Sequence, residues 1–133
     1  MMRRMAVVAV ASLLGAGVSS AAGFDGHQGL VCKLESAAEC DTDAQCATVT
    51  SDEVDLPDSI SVDFKAHRLR SPDGQRTSPI GSTEVTETVL IAQGNQNGRG
   101  WSMAIGRATG RMTGTITETA GAFILTGTCA NAP

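Results

Sequence analysis

Residues 101–129 read WSMAIGRATGRMTGTITETAGAFILTGTC, and three short alternations run through them. Trp101, Met103 and Ile105 alternate with Ser102, Ala104 and Gly106, a period of two that puts the large side chains on one face of a strand. Met112 and Ile116 alternate with Thr113, Thr115 and Thr117. Phe123, Leu125 and Cys129 alternate with residues that include Thr126 and Thr128, and Ile124 breaks the polarity. Gly110 and Gly121 lie between the runs, where a tight hairpin needs positive φ.

Two-residue turns at Thr109-Gly110 and Ala120-Gly121 predict a register. The first sets Met103 opposite Ile116, Arg107 opposite Met112 and Trp101 opposite Glu118. The second sets Ile116 opposite Leu125, Glu118 opposite Phe123 and Met112 opposite Cys129. Both keep the large apolar side chains on one face and Thr, Ser and Ala on the other, an agreement that a one-residue slip destroys. Arg107 and Glu118 fall on the apolar face, but near strand ends where long side chains reach water.

Upstream, Val85, Val89 and Ile91 alternate within Thr83 to Gln93, with Glu87 a polar exception. Ile60, Val62 and Phe64 alternate within Ser59 to Lys65, and Leu30, Cys32 and Leu34 mark one more strand. Ser71-Pro72-Asp73-Gly74 is a strong turn, and Gly94 to Gly100 reads as a flexible loop. Glu35 to Gln45 has room for one short helical turn. Six strands with at most one helical turn make a mainly all-β domain: a small antiparallel meander curled into a barrel or packed as a sandwich.

The first 22 residues stand apart from this pattern. Met1-Met2-Arg3-Arg4 is a positive start, Met5 to Val18 is mostly apolar, and Ser20-Ala21-Ala22 supplies small residues before a cut. That is a secretory signal peptide, its apolar run too short to span a bilayer. Cleavage after Ala22 is expected to leave a single exported domain, residues 23–133, in the periplasm or outside the cell. No other run is apolar for long enough to be a transmembrane segment.

Cleavage also changes the charge. Ten bases become eight against fourteen acids, a net of −6. Ten of the acids lie between Phe24 and Asp63 with Lys33 as the sole base, whereas Phe64 onward carries seven bases and four acids. Two halves lying side by side and partly neutralising each other account for this asymmetry. With no cluster of adjacent Lys or Arg, the chain lacks the footprint of nucleic-acid binding.

Cys32, Cys40, Cys46 and Cys129 all lie beyond the expected cut. An even count in a small exported domain predicts two disulfides. Cys40 and Cys46 enclose only Asp41 to Gln45, so a local bridge between them is geometrically easy and leaves Cys32 to pair with Cys129. A zinc site competes poorly, because no C-x2-C knuckle is present.

Reactive constellations are sparse. No G-x-S-x-G elbow occurs, and Ser82 and His67 have no triad partner near them in sequence. Gly94 to Gly100 lacks the Lys-Ser/Thr ending of a phosphate loop. Asp41, Asp43, Gln45 and Asp52 fall at calcium-loop spacing, yet Cys46 stands where such a loop needs Gly. Thr113, Thr115, Thr117, Thr126 and Thr128 form a face that suits either a ligand or simply an exposed strand. Trp101 opens a core strand, where burial is its simplest role. The residues therefore point to a non-enzymatic binding or interaction domain with a protein or small-molecule partner and no cofactor. The alternative is a small exported hydrolase or transferase whose site is assembled only in three dimensions.

Overall fold

The computed structural model describes residues 23–133; the expected signal segment, residues 1–22, lies outside them. Ten strands follow in order: β1 (Leu30–Cys40), β2 (Cys46–Val49), β3 (Ser59–Asp63), β4 (Arg68–Arg70), β5 (Thr77–Pro79), β6 (Ser82–Val85), β7 (Val89–Gln96), β8 (Arg99–Gly106), β9 (Arg111–Glu118) and β10 (Gly121–Asn131). They form one antiparallel sheet in the order β5-β4-β3-β1-β10-β9-β8-β7-β6, with β2 added to β1. There is no helix among the described residues. The segment expected to hold a helical turn is instead the end of β1 and a turn. There β1 is hydrogen-bonded on both edges, to β10 and to β2, which leaves no freedom for a coil.

Connectivity forces this sheet to curl. β5 and β6 lie at opposite ends of the strand order, yet only Ile80 and Gly81 join them. Two residues span at most about 7 Å of extended chain, so the two edges must come together. They do: the indole N–H of Trp101 on β8 reaches Ser78 Oγ on β5 at 2.9 Å, and Gly94 of β7 lies against the Pro79 carbonyl of β5. The result is a half-barrel, not a sandwich.

Both predicted hairpin registers are out by two residues. Met103 faces Gly114, not Ile116; Trp101 faces Ile116, not Glu118; and Ile105, not Arg107, faces Met112. Likewise Ile116 faces Phe123, Glu118 faces Gly121 and Met112 faces Gly127. The first connection is a four-residue loop, Arg107 to Gly110, closed by the Gly110 N–H on the Gly106 carbonyl at 2.8 Å. The second is the two-residue turn Thr119-Ala120. A slip of two leaves every side chain on its own face, so the facing pattern cannot detect it.

Three further expectations change. The single strand over Thr83 to Gln93 is the hairpin β6–β7, turning at Thr86 to Thr88, so the polar exception Glu87 is a turn residue. The side chains turned inward are Leu90 and Ala92, both fully buried, opposite Ile105 and Met103; Val89 and Ile91 lie outside, while Val85 pairs with Leu90 and shares its face at the edge of the sheet. Gly94 to Gly100 is mostly strand, with only Asn97-Gly98 as a turn, at φ 53° and 78°. Beyond the six expected strands, the structure adds the short pieces β2, β4, β5 and β6, of three or four residues each.

β1 meets β10 at the closure of the two meanders, and Cys32 pairs directly with Cys129. Cys129 sends its N–H to the Gly110 carbonyl, away from β1. The pair is therefore of the non-hydrogen-bonded kind, in which facing side chains lie closest, and a disulfide joins it. A second disulfide joins Cys40 to Cys46 across β1 and β2, as expected from their spacing. Between Leu34 and Ser36 a bulge shifts the register, so Glu35 and Ser36 both face out and Ala37 returns inward against Leu125.

Candidate functional site

The interior of the curled sheet is packed unevenly along its length. At the lower end, where β1 begins and the Arg107–Gly110 loop lies, Leu30, Cys32, Val62, Leu90 and Ile105 are all less than 2% exposed. Phe24 packs against this core, held by Arg107. The Arg107 Nε donates to the Phe24 carbonyl at 2.7 Å, and its Nη1 donates to the carbonyls of Thr86 at 2.7 Å and Glu87 at 3.3 Å. Arg107 was expected on the apolar face of a strand; it is a loop residue that fastens the N-terminal segment across the floor.

The upper end, marked by the Asn97-Gly98 turn, is open. The inward residues there (Leu34, Ile60, Leu69, Trp101 and Ile116) are only half-buried. With Met103, Met112 and Leu125 below them they line a cavity of about 180 Å³. Two positions keep it in shape. Trp101 is fixed by its bond to Ser78 and lies against Gly94, where a Cβ would come within 2.6 Å of the indole. Gly114 stands between Met112 and Ile116 on the inner face, so a gap occurs where the alternation calls for a large side chain. A Cβ at Gly114 would meet its neighbours at 3.6 Å or more, in ordinary van der Waals contact, and Gly114 borders the cavity.

The lining is mostly apolar, and apart from Ser102 and Thr115 its polar residues stand at the rim. Ser78, Gln96 and Arg99 border the cavity, and Arg99 is the one charged residue among those lining it. Its Nε donates to Glu118 Oε2 at 2.7 Å. Beside the rim, Arg76 donates to the Asp55 carbonyl at 2.6 Å and lies 3.7 Å from the exposed Asp55 carboxylate. The Ser71–Asp73 turn also sits at this end: the Ser71 hydroxyl, followed by the Gln75 N–H, holds the Asp73 carboxyl below the usual aspartate range. Apolar walls with a few polar groups at the mouth of a β-barrel are the ordinary form of a small-molecule site.

The other candidates are scattered. Ser82 lies on β6, beside a broad, shallow depression on the outer face of about 550 Å³, whose lining includes Gln93, Ser102, Thr115 and Thr117 but no His or acid. His67 sits in the turn between β3 and β4 at φ 52°, and no hydrogen bond joins it to Ser82. The Asp41 carboxylate caps its own turn, accepting from the N–H groups of Asp43 at 2.9 Å and Gln45 at 3.0 Å. Asp52 belongs to a separate turn. Among the described residues, no three His, Cys, Asp or Glu side chains gather as metal ligands. Of the threonines, Thr113, Thr115 and Thr117 are exposed, while Thr126 bonds to Ser36 and Thr128 donates to Glu35 at 2.7 Å. Cys32, Cys40, Cys46 and Cys129 are all spent in disulfides.

Sequence reasoning missed Leu69, Ser78, Gln96 and Arg99. Leu69 and Ser78 reach the mouth because β4 and β5 fold over the edge of β7, while Gln96 and Arg99 flank the Asn97-Gly98 turn of the β7–β8 hairpin. One signal was readable: the glycine at position 114 interrupts the apolar stripe of its strand.

Comparison with protein-family models, with curated proteins and with solved structures finds no match to this chain. Its own geometry carries the functional reading. No helix among the described residues is long and apolar enough to cross a membrane, and the two disulfides are consistent with an oxidising environment.

Proposed function

We propose that this protein is a small exported, non-enzymatic binding domain, acting in the periplasm or outside the cell, that holds an apolar group in the upper end of its half-barrel. The observation that carries the reading is the cavity of about 180 Å³, with mostly apolar walls and with Ser78, Gln96 and Arg99 at its mouth. Export rests on the secretory pattern of residues 1–22, and the two disulfides suit that destination. An engineered apolar cavity of about 150 Å³ holds one benzene ring, which sets the size class of the guest. A hydrolase or transferase would need a nucleophile and base brought together, and Ser82 and His67 are not hydrogen-bonded to each other or to a common acid.

Trp101 is the only tryptophan and lies in the cavity wall, so its fluorescence reports directly on occupancy. Toluene added to the oxidised protein is expected to give a saturable shift in Trp101 emission. Gly114→Leu, which fills the space beside Gly114, is expected to abolish that shift. An unsaturable response, or one unchanged in Gly114→Leu, overturns the reading. So does turnover of a p-nitrophenyl ester that disappears in Ser82→Ala.

A further inference from the structure

We infer that the guest of this cavity is a small amphipathic acid: a single ring or an alkyl group of similar size inside, with a carboxylate at the mouth on Arg99. This rests on the binding reading above and specifies its ligand. The walls take a group of one ring by volume, and their chemistry is adaptable, because Met103 and Met112 line the space below Trp101. Such walls hold an apolar group but cannot orient it. Orientation must come from the rim.

Arg99 is the one charged residue on the cavity lining itself. Arg99 is 58% exposed in its side chain and uses Nε on Glu118. Its two terminal nitrogens donate no hydrogen bond to any described residue. Those nitrogens present the planar fork that carboxylates accept in pairs. Gln96 sits beside it on the cavity lining, with an amide N–H₂ as a second donor. The nearby cation Arg76 is already occupied by Asp55, and the acids Asp55 and Asp73 lie on its side of the mouth. Glu118 approaches Arg99 from its Nε edge and leaves the terminal edge open. The side of the mouth bordered by Arg99 and Gln96 is therefore the one that suits an anionic head.

Titration of Trp101 emission with 3-phenylpropionate and with 3-phenylpropionamide tests this on the intact, oxidised protein. The two share the ring and chain and differ in the charge of the head. The carboxylate is expected to bind roughly tenfold tighter than the amide, the factor expected of a charge-assisted pair over a neutral one. Added salt should weaken the acid and leave the amide unchanged. In Arg99→Gln, an exposed change that should keep the melting temperature, the acid should fall to the affinity of the amide. Equal binding of acid and amide by the wild type overturns the assignment of the head, while saturable toluene binding still upholds the cavity. Retention of the preference in Arg99→Gln also overturns it. Failure of all three probes overturns both readings. A preference for a phenylalanine-containing neutral peptide over either small molecule moves the site to a protein partner and overturns the small-acid assignment.

Discussion

At the lower end of the half-barrel, Leu30, Cys32, Leu90 and Ile105 are sealed, a disulfide crosses the closing strands, and Phe24 lies over the floor. At the upper end the same strands carry Trp101, Ile116 and Leu34, which are only half covered. The apolar alternation is equally good at both ends. What differs is how far the crossing segments reach. The N-terminal segment and the Arg107–Gly110 loop fold across the lower end, whereas the two-residue turns at Asn97-Gly98 and Thr119-Ala120 leave the interior open at the upper end. A closed floor under an open mouth lets one small sheet keep a rigid core and still offer a cavity.

The largest expected effect separates the two disulfides. Replacing Cys32 and Cys129 by Ala removes a crosslink spanning 97 residues, which costs about 4–5 kcal/mol in the chain-entropy treatment. Replacing Cys40 and Cys46, which are 6 residues apart at the upper end, should cost about 2 kcal/mol. Urea unfolding of the two double variants measures the gap, and equal losses would break the contrast between the ends.

Next come two glycines of the same backbone class. Gly110 in the lower loop has φ 73°, and a Cβ there would sit 2.6 Å from the Cys129 carbonyl oxygen. Gly98 in the upper turn has φ 78° with nothing within 4 Å. Gly98→Ala should cost about 1 kcal/mol, for the left-handed backbone alone. Gly110→Ala should cost roughly 2–3 kcal/mol, because backbone must also move. Thermal unfolding compares them, and a larger loss at Gly98 would contradict the packing described for the lower end.

The smallest effect should be shared by both ends. The carboxyl of Asp25 at the lower end is held below the aspartate range first by the Gln28 N–H and then by that of His27; Asp73 at the upper end is held there by Ser71 and then Gln75. A depressed carboxyl stabilises the fold above its unfolded pKa and stops doing so as the pH falls through its folded value, so the loss lies below about pH 4. The advantage of the wild type over Asp73→Asn should therefore shrink between about pH 5 and pH 3, and the same should hold for Asp25→Asn. Melting temperatures across that range check it, and an advantage that grows on acidification would reverse the assignment.

Much of the sheet was legible because alternation at residues 101–129 is long and clean, and it placed Trp101, Met103, Ile105, Met112 and Leu125 inward. The disulfide pairing was legible too, since the short Cys40–Cys46 spacing leaves only one partner for Cys32. Strands of three or four residues such as β4 and β5 carry too few side chains to show a period. In β7 two stripes compete, Val89 and Ile91 against Leu90 and Ala92, and only contact with Ile105 and Met103 chooses between them. Of the site, Trp101 and the gap at Gly114 were visible, but Ser78 and Arg99 were ordinary surface residues until the edges met.

The opening alternation determined a β-meander, its inward face and a register known only to the nearest two residues, because side chains repeat every two positions along a strand. The cysteine spacing determined the crosslinks. The tertiary structure alone decided that the sheet curls into a half-barrel, because the two-residue link from β5 to β6 must join opposite edges. That closure brings Ser78 to Trp101 and sets Arg99 beside an apolar cavity, a juxtaposition between distant strands that no local pattern encodes.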